Sequence, residues 1–329
     1  MKTAIVGSRR FVTGLQILLL AGSAVAQQYP SKPVRLIVSS PPGGVTDTTA
    51  RALAKGVSPA ISQPIVIENR GGASGNIGGT ACARSTADGY TLCLISGAAI
   101  TINPFAFAKM PFNVDRDLSP VAHVGFLDIA IAVHTSVPAN SIKELVDMAR
   151  SKPGVLNWGS LGVGSNSHMY MVWLEQKSGV HFTHIPYRGS PAMFIAATTG
   201  VVQVSTFTPG TVLPHVKSGK LKVLAVVTGK SRSSLMPQVP TFQEQGFELD
   251  FRNWNGLFFQ KGVPADMTRR WNVEVNKLLA DKQFTGRYFA PMAVTPSGGT
   301  PESFAEFIKS DRAKAAELVK LANMKMIEN

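Results

Sequence analysis

Cysteine is almost absent from this chain of 329 residues, which contains only Cys82 and Cys93. Two cysteines without a nearby pair of histidines do not complete the tetrahedral shell of a zinc ion, so we expect no metal site and no cofactor. In an oxidising compartment the two thiols could bridge the end of a helix to the following strand. The sequence equally allows two separate buried thiols, because it does not give the distance between their Cα atoms.

The chain also lacks a hydrophobic run long enough to span a bilayer comfortably. Its apolar stretch at residues 15–20 is short, follows a basic segment with Lys2, Arg9 and Arg10, and precedes small residues at positions 24–26. This order is typical of a cleaved export signal, so we predict that residues 1–26 are removed and that the mature chain begins near Gln27 in the periplasm. An uncleaved anchor is the weaker alternative, and the export route stays open.

Clustered charge is missing as well, although the composition is basic. Lysine and arginine number 33 against 20 acidic residues, a formal net charge of +13 that falls to about +10 without the first 26 residues. The basic residues are scattered, and no basic patch interleaved with aromatic residues appears, so we expect no nucleic-acid partner. A basic surface of this kind attracts anionic solutes over long distances.

No repeat and no low-complexity linker interrupts the rest of the chain, in which strand and helix candidates alternate in the rhythm of βαβ units. In the first half, strands are predicted at residues 34–38, 65–68 and 90–96, and helices at residues 47–61 and 76–84. Two β-rich runs without a helix between them, residues 120–125 and 129–133, break this pattern. We place the first crossing between two domains at this break.

A second βαβ series follows. Helices are predicted at residues 142–151, 166–177, 192–199 and 212–218, strands at residues 156–159, 184–186, 202–207 and 221–227, and an apolar run at 254–259 precedes helices at 265–280 and 301–320. The sequence therefore predicts an α/β fold with two domains, residues 27–125 plus 252–329 and residues 126–251. Each domain is expected to be a doubly wound sheet flanked by helices, with ligands bound between the lobes at the carboxyl ends of the strands.

Both predicted domains contain a strand that runs into a glycine-rich loop at the start of a helix, at residues 34–47 and 158–168. Backbone N–H groups in such loops, reinforced by the helix N-terminus, favour an anion, most simply a carboxylate or a phosphate. At Gly44 a side chain would obstruct the close approach of a ligand. In the second loop the hydroxyl groups of Ser160 and Ser165 could hold a second anionic group, and Arg188 could steer carboxylates.

Many short blocks, in one order and over nearly all of residues 29–329, carry a family resemblance. They are residues 29–38, 41–47 with Ala50 and Arg51, 63–64, 66–70, 75–78, 88–92, 103–104, 186–189, 219–221, 237–241 and 254–256. In these blocks the chain resembles the extracytoplasmic solute-binding receptors of tripartite tricarboxylate transporters, the Bug receptors.

The resemblance implies the periplasmic-binding-protein fold, also called the Venus flytrap fold. It implies a receptor, not an enzyme, that captures an organic acid in the periplasm and presents it to the membrane subunits of the transporter. We expect a monomer that closes about a hinge near residues 125 and 250. Together with Arg188, the cleft residues that the resemblance implies are Pro42, Gly43, Gly44, Thr46, Asp47, Gly97, Ala98, Ser160, Gly164, Ser165, Asn166 and His168.

Alternatives remain for single residues and for the function. Asp47 could be an ordinary helix cap, His168 a hydrogen-bonded core histidine and Arg188 a surface side chain. A periplasmic sensor would pass ligand occupancy to a signalling partner instead of a transporter. An exported hydrolase is less well supported, because Ser165 and His168 are neighbours on a helix and no Gly-X-Ser-X-Gly elbow follows a strand.

One position departs from the resemblance, since many relatives carry aspartate where this chain has Gln203. Beside a cleft, the exchange of a carboxylate for a neutral amide would disfavour cationic ligands and ease the binding of a second carboxylate. The sequence thus yields the hypothesis that Gln203 adjusts the preferred charge of the ligand.

Overall fold

The structure, a computed structural model, describes residues 29–228, 232–249, 251–321 and 326. The predicted export signal at residues 1–26 and the predicted first mature residue, Gln27, lie outside the described residues. Within these ranges the chain forms two β-sheets flanked by helices, which confirms the predicted two-sheet α/β fold. No helix of the described part combines the length and the apolar character needed to cross a membrane.

Strands and helices alternate along most of the chain. The strands are β1 (Val34–Val38), β2 (Ile65–Asn69), β3 (Thr91–Ser96), β4 (Leu118–Leu127), β5 (Ile129–His134), β6 (Asn157–Ser160), β7 (Thr183–Pro186), β8 (Val204–Phe207), β9 (Leu221–Val227), β10 (Asn253–Gln260) and β11 (Val294–Pro296). The helices are α1 (Val45–Ile61), α2 (Asn76–Ala83), α3 (Asn103–Ala106), α4 (Val114–Asp117), α5 (Ile142–Ser151), α6 (Asn166–Ser178), α7 (Ser190–Thr198), α8 (Pro209–Lys217), α9 (Ala265–Ala280), α10 (Lys282–Tyr288) and α11 (Pro301–Leu321).

The two sheets have the strand orders β11-β4-β10-β3-β1-β2 and β7-β6-β8-β5-β9. As the βαβ alternation predicts, β1 is parallel to β2 and β3, and β6 is parallel to β7 and β8. In contrast, β10 is antiparallel to β3 and β4, and β5 is antiparallel to β8 and β9, so both sheets are mixed. We call the six-stranded sheet and its helices the first lobe, and the five-stranded sheet and its helices the second lobe.

Successive side chains of a strand point to opposite faces of the sheet. In both sheets, apolar clusters cover the two faces. In β3, Leu94 belongs to one apolar cluster and Cys93 to the cluster on the other face. In β5, Ile131 and Ala132 divide in the same way between two clusters of the second lobe. Burial on both faces explains why these strands are continuous apolar runs in the sequence.

A disulfide bond between Cys82 of α2 and Cys93 of β3 decides between the two alternatives that the sequence leaves open. Their Cα atoms are 6.1 Å apart, and both residues are fully buried. The bond ties α2 to a central strand of the first sheet. Cys82 lies in the last turn of α2, so the bond holds the C-terminal end of this helix.

The chain crosses between the lobes at two places. It leaves the first sheet with Leu127, enters the second with Ile129 and returns to the first with Asn253. These crossings lie close to the predicted domain boundaries at residues 125/126 and 251/252, which remain a prediction.

The C-terminal helix α11 packs against both lobes. Its Phe304 and Ile308 belong to an apolar cluster of the first lobe, whereas Ala315 and Leu318 belong to a cluster of the second lobe. The predicted assignment of the whole C-terminal part to the first domain does not describe this second contact.

Candidate functional site

The carboxyl ends of strands from both sheets meet around one large cavity of about 900 Å³. Loops after β1, β2 and β3 line it from the first lobe, and loops after β6, β7 and β8 line it from the second. Helices α1, α2, α6, α7 and α8 begin at these loops. The unpaired N–H groups and the partial positive charge of each helix N-terminus are therefore directed at one space, which favours an anion.

The first glycine loop, residues 41–44, joins β1 to α1. Gly43 has a φ of +84°, the left-handed region that favours glycine. Gly44 has a φ of −86°, which any residue adopts, and a Cβ atom there would lie 4.0 Å from Ser190 Oγ of the second lobe. Conformation thus explains glycine at position 43, whereas at position 44 the absent side chain leaves open space at the cavity.

Asp47 lies behind this loop and does not line the cavity. Its carboxylate accepts hydrogen bonds from the N–H of Gly43 at 3.0 Å, from Arg51 Nε at 3.0 Å and from Asn69 Nδ2 at 2.9 Å. Burial alone would raise the pKa of Asp47, but these hydrogen bonds hold it below its ordinary value. Asp47 therefore fixes the loop ahead of α1 from within the first turn of the helix, whereas the N-cap residue is Gly44, which has no side-chain cap.

The second glycine loop, residues 161–165, joins β6 to α6. Ser165 caps the helix by accepting a hydrogen bond from the N–H of His168, and its hydroxyl donates to the carbonyl of Gly162 at 2.6 Å. The Asn166 side chain donates across the cleft to Asn253 of β10. The side-chain oxygen Oδ1 of Asn166 is buried and has no hydrogen-bond partner among the described residues.

Two histidines support this second loop from behind. The rings of His168 and His184 are stacked with centroids 4.3 Å apart, His168 Nδ1 accepts from the N–H of Gly164, and His184 Nε2 is hydrogen-bonded to Ser160 Oγ. Burial, and then repulsion from His184, lower the pKa of His168 to about 3. Both imidazoles are therefore neutral at pH 7, since burial lowers the pKa of His184 as well.

Arg188 lies at the exposed rim of the cavity, in the loop between β7 and α7. Among the described residues that line the cavity, no other side chain carries a formal charge at neutral pH. The next residue, Gly189, lies close to Pro41, because a Cβ atom at Gly189 would be 3.4 Å from Pro41 Cγ. The first loop and the start of α7 thus face each other across the cleft.

A third loop, residues 71–75 between β2 and α2, also contacts the opposite lobe. The Ser74 hydroxyl donates to the carbonyl of Val163 at 2.6 Å. Ala73 and Ser74 have φ values of +46° and +53°, which non-glycine residues rarely adopt. Strained backbone therefore lies at a contact that joins the two rims of the cleft.

The structure places the sequence-predicted residues in two groups. Those that line the cavity are Pro42, Gly43, Gly44, Thr46, Ala98, Ser165, Asn166 and Arg188. Those outside the lining are Asp47, Gly97, Ser160, Gly164 and His168. Gly97 is explained by packing, because a Cβ atom there would lie 2.5 Å from the indole of Trp254. The assignment of these residues to ligand binding remains a prediction.

Several lining residues were missed by the sequence interpretation. The loop at residues 71–75 follows a strand and contains three glycines, the same signal that identified the first two loops. Asn253 and Asn255 lie at the start of strand β10 and line the cavity. The side-chain amide of Asn255 donates a hydrogen bond to Thr46 Oγ1 at 3.3 Å. The sequence gave no reason to place the aromatic residues Phe194 and Phe207 at the cavity, because a single aromatic residue in a helix or strand is usually interpreted as part of the hydrophobic core.

Gln203 does not line the cavity, so the hypothesis that it adjusts the charge preference of the ligand has no structural support. Its Oε1 accepts from the N–H of Asn157 at 2.9 Å, and its Nε2 donates to the carbonyl of Gly200 at 2.8 Å. Gln203 precedes β8, whereas the cavity lies at the opposite, carboxyl end of that strand. The condition of the hypothesis, a position of Gln203 beside the cleft, is therefore not met.

Among the described residues, the serine and histidine side chains at the cavity are not arranged as a nucleophile with its base. Ser160 and His184 are hydrogen-bonded to each other, yet neither lines the cavity. Ser165 acts as a helix cap toward His168 and is not activated by its ring. Across the described part of the chain, no group of three or more His, Cys, Asp and Glu side chains is close enough to hold a metal ion.

Sequence comparison points to one family of known proteins. A family model described as tripartite tricarboxylate transporter family receptor matches residues 49–324. The chain is similar to the protein BugT of Bordetella pertussis, with 32% identity over 309 residues that cover 93% of this chain and 94% of BugT.

Two solved structures with bound acids have the same fold. The R. palustris protein Rpa4515 with adipate is 27% identical, has a TM-score of 0.86, and the match covers 91% of this chain and 100% of that one. MatC from Rhodopseudomonas palustris with bound malate is 25% identical, has a TM-score of 0.81, and the match covers 88% of this chain and 100% of that one.

Proposed function

The chain belongs to the receptors of the tripartite tricarboxylate transporter family, and on that premise we propose that it captures an organic acid between its lobes and delivers it to the membrane subunits of such a transporter. The family is one of solute-binding receptors, and the described cavity residues support binding rather than catalysis. The proposal includes action in the periplasm as a monomer, after removal of residues 1–26.

The observation that carries the proposal is the convergence of five helix N-termini on one cavity. Each supplies unpaired backbone N–H groups and the positive end of a helix dipole. No carboxylate side chain from the described residues opposes them in the lining, and Arg188 adds a positive charge at the rim. A carboxylate fits this environment, as adipate and malate do in Rpa4515 and MatC.

The experiment is an isothermal titration of the purified mature protein with organic acids, including adipate and malate. We expect at least one acid to bind and to be recovered chemically unchanged, and the matching amide, which has no negative charge, to bind at least tenfold more weakly. Absence of heat with every acid, or equal binding of acid and amide, contradicts the proposal.

Delivery needs its own test, since capture and transport are separate steps. A strain that lacks the receptor gene should lose uptake of the radiolabelled acid, and the intact gene should restore it. Uptake that is unaffected, combined with an altered transcriptional response to the acid, would favour the sensor alternative.

A further inference from the structure

One wall of the cavity is apolar and aromatic. On the second lobe its accessible surface is formed by the partly exposed rings of Tyr187 and Phe194. Met193 and Phe207 are buried behind them, and the ring of Phe207 is stacked on that of Phe194 with centroids 3.8 Å apart. We infer that the ligand is an organic acid with a bulky, ring-sized apolar body, and not a small aliphatic di- or tricarboxylate. This inference rests on the proposed function and names the substrate class of the same site.

Helix α7 places the anion-binding loop and the apolar wall side by side. Ser190, Met193 and Phe194 share one face of α7, because they are three and four positions apart, and all three line the cavity. Ser190 faces Gly44 of the first loop. One helical turn, about 5.4 Å, separates Ser190 from Phe194. A carboxylate held between the first loop and the start of α7 therefore directs the rest of the molecule onto the ring of Phe194.

The cavity has room for a ligand of this class. Its volume of about 900 Å³ is roughly six times the 150 Å³ that accommodates one benzene molecule. The first lobe adds Ile77, Phe107 and Leu127 to the lining. Phe107 and Leu127 are buried, whereas Ile77 is 49% exposed and Phe194 is partly exposed. A four-carbon acid held at the first loop would leave Ile77 and Phe194 in contact with water, whereas a ring-sized body would displace that water and gain affinity.

The first test is a calorimetric comparison of benzoate, cyclohexanecarboxylate, adipate and malate. We expect the two ring acids to bind at least tenfold more tightly than the two aliphatic diacids. Equal or tighter binding of adipate or malate overturns the inference and leaves the proposed function intact. Absence of binding by all four acids overturns the inference, and it overturns the proposed function as well if no other organic acid binds.

The second test is a matched pair of variants on α7. Phe194 lines the cavity, whereas Ile195 is 67% exposed and does not. Phe194→Ala should weaken benzoate binding roughly tenfold and change adipate binding less than about twofold, while Ile195→Ala should change neither. Because Phe194 also supports Phe207, Phe194→Leu serves if the alanine variant does not fold, with a loss of roughly threefold. Unchanged benzoate affinity in the Phe194 variant that folds overturns the inference.

Discussion

At the scale of single residues, neighbouring glycines of the first loop have different roles. Gly43 adopts a φ of +84°, so its backbone conformation is unfavourable for any residue with a Cβ atom. Gly44 has an ordinary φ and faces the cavity, where a Cβ atom would meet only Ser190 Oγ at 4.0 Å. One glycine shapes the loop, and the other leaves room for what the loop binds.

We predict different effects for an alanine substitution at these two positions, one on stability and one on binding. Gly43→Ala should lower the free energy of unfolding by about 1–2 kcal/mol, because it forces alanine into the left-handed region. Gly44→Ala should leave stability within about 0.5 kcal/mol of the parent but weaken binding of the acid roughly tenfold. Urea unfolding and calorimetric titration separate the two effects. Undiminished affinity in Gly44→Ala would show that the loop is only a turn.

Buried histidines predict the pH dependence of stability. Burial lowers the pKa of His123 to about 4 and that of His168 to about 3, so the unfolded chain binds more protons than the folded one below pH 6.5. Their contribution to stability is present above pH 6.5 and is lost as the pH falls. Burial raises the pKa of Asp128 to about 6, which contributes stability below pH 3.8 and loses it as the pH rises to 6.

The two histidines outweigh the single aspartate, so the free energy of unfolding should fall between pH 6.5 and pH 4.5. Asp128→Asn removes the opposing contribution, and the fall should become steeper. Urea unfolding of both proteins at half-unit pH intervals measures the slopes. A flat profile in the parent, or a shallower one in the variant, would contradict this assignment of proton uptake.

At the scale of elements, the sequence predicted long periodic segments well and short ones poorly. The predicted bounds of β1, α5 and α9 agree with the structure. Ser141 caps α5 by accepting from the N–H of Glu144, which is the pattern that serine followed by glutamate three positions later favours. Helix α10 and strand β11 were not predicted. They are seven and three residues long, too short for a periodic pattern, and depend on neighbouring elements that the sequence does not show.

The sequence predicted the glycine-rich loops of the candidate site but not the side chains that form its apolar wall. Glycine-rich loops after strands have a local signature, and the structure brings two of them to one cavity, at Gly44 and Asn166. The apolar wall around Phe194 depends on which face of α7 meets the cleft, and that is set by tertiary packing. For the same reason the sequence did not separate Thr46, which lines the cavity, from Asp47, which lies behind it.

The disulfide bond should contribute measurably to the stability of the first lobe. It closes a short loop, for which restriction of the unfolded chain stabilises the folded state by about 2–4 kcal/mol. We therefore expect the double variant Cys82→Ala and Cys93→Ala to lose stability in that range. Urea unfolding of the parent with and without dithiothreitol is the control, because reduction of the unfolded chain removes the same bond. Identical midpoints with and without reductant would contradict this contribution.

The contact between Ser74 and Val163 should slow the release of ligand. Ser74→Ala removes a hydrogen bond of about 1 kcal/mol between the rims, so dissociation of the acid should become roughly fivefold faster. Ser74→Gly removes the same hydrogen bond but relieves the left-handed strain at φ +53°, so it should be about 1 kcal/mol more stable than Ser74→Ala. Stopped-flow displacement and urea unfolding measure the two effects. Parental dissociation rates in both variants would show that the rims do not retain the ligand.

At the scale of the whole molecule, a charged pair lies where the chain crosses between the lobes. Asp128 separates β4 from β5, and Arg252 directly precedes β10. Their closest nitrogen and oxygen atoms are 3.8 Å apart, and the guanidinium group lies 4.0 Å from the ring centroid of Phe126. Burial raises the pKa of Asp128 and lowers the pKa of Arg252, so the attraction between the two groups offsets only part of the cost of removing them from water. The pair lies close to the hinge predicted near residues 125 and 250.

We expect the lobes to close about these crossings when an acid binds. The radius of gyration of the mature protein should decrease on saturation with an acid that calorimetry shows to bind. Small-angle X-ray scattering with and without that acid measures the change, and the matching amide serves as the control. Identical scattering curves for the free and saturated protein would exclude closure as the binding mechanism.

Helix α11 is anchored in the cores of both lobes, and its 21 residues extend over about 31 Å at 1.5 Å per residue. A rod held at both ends resists stretching, so separation of the lobes should pivot about it and be greatest at a distance from it. Dyes attached beside α11 would keep a nearly constant distance, whereas dyes at Ser74 and Val163, which touch across the cleft, would move apart. A fluorescent sensor of the ligand could therefore be built on this receptor, with the dyes beside α11 as the reference and the dyes at Ser74 and Val163 as the signal.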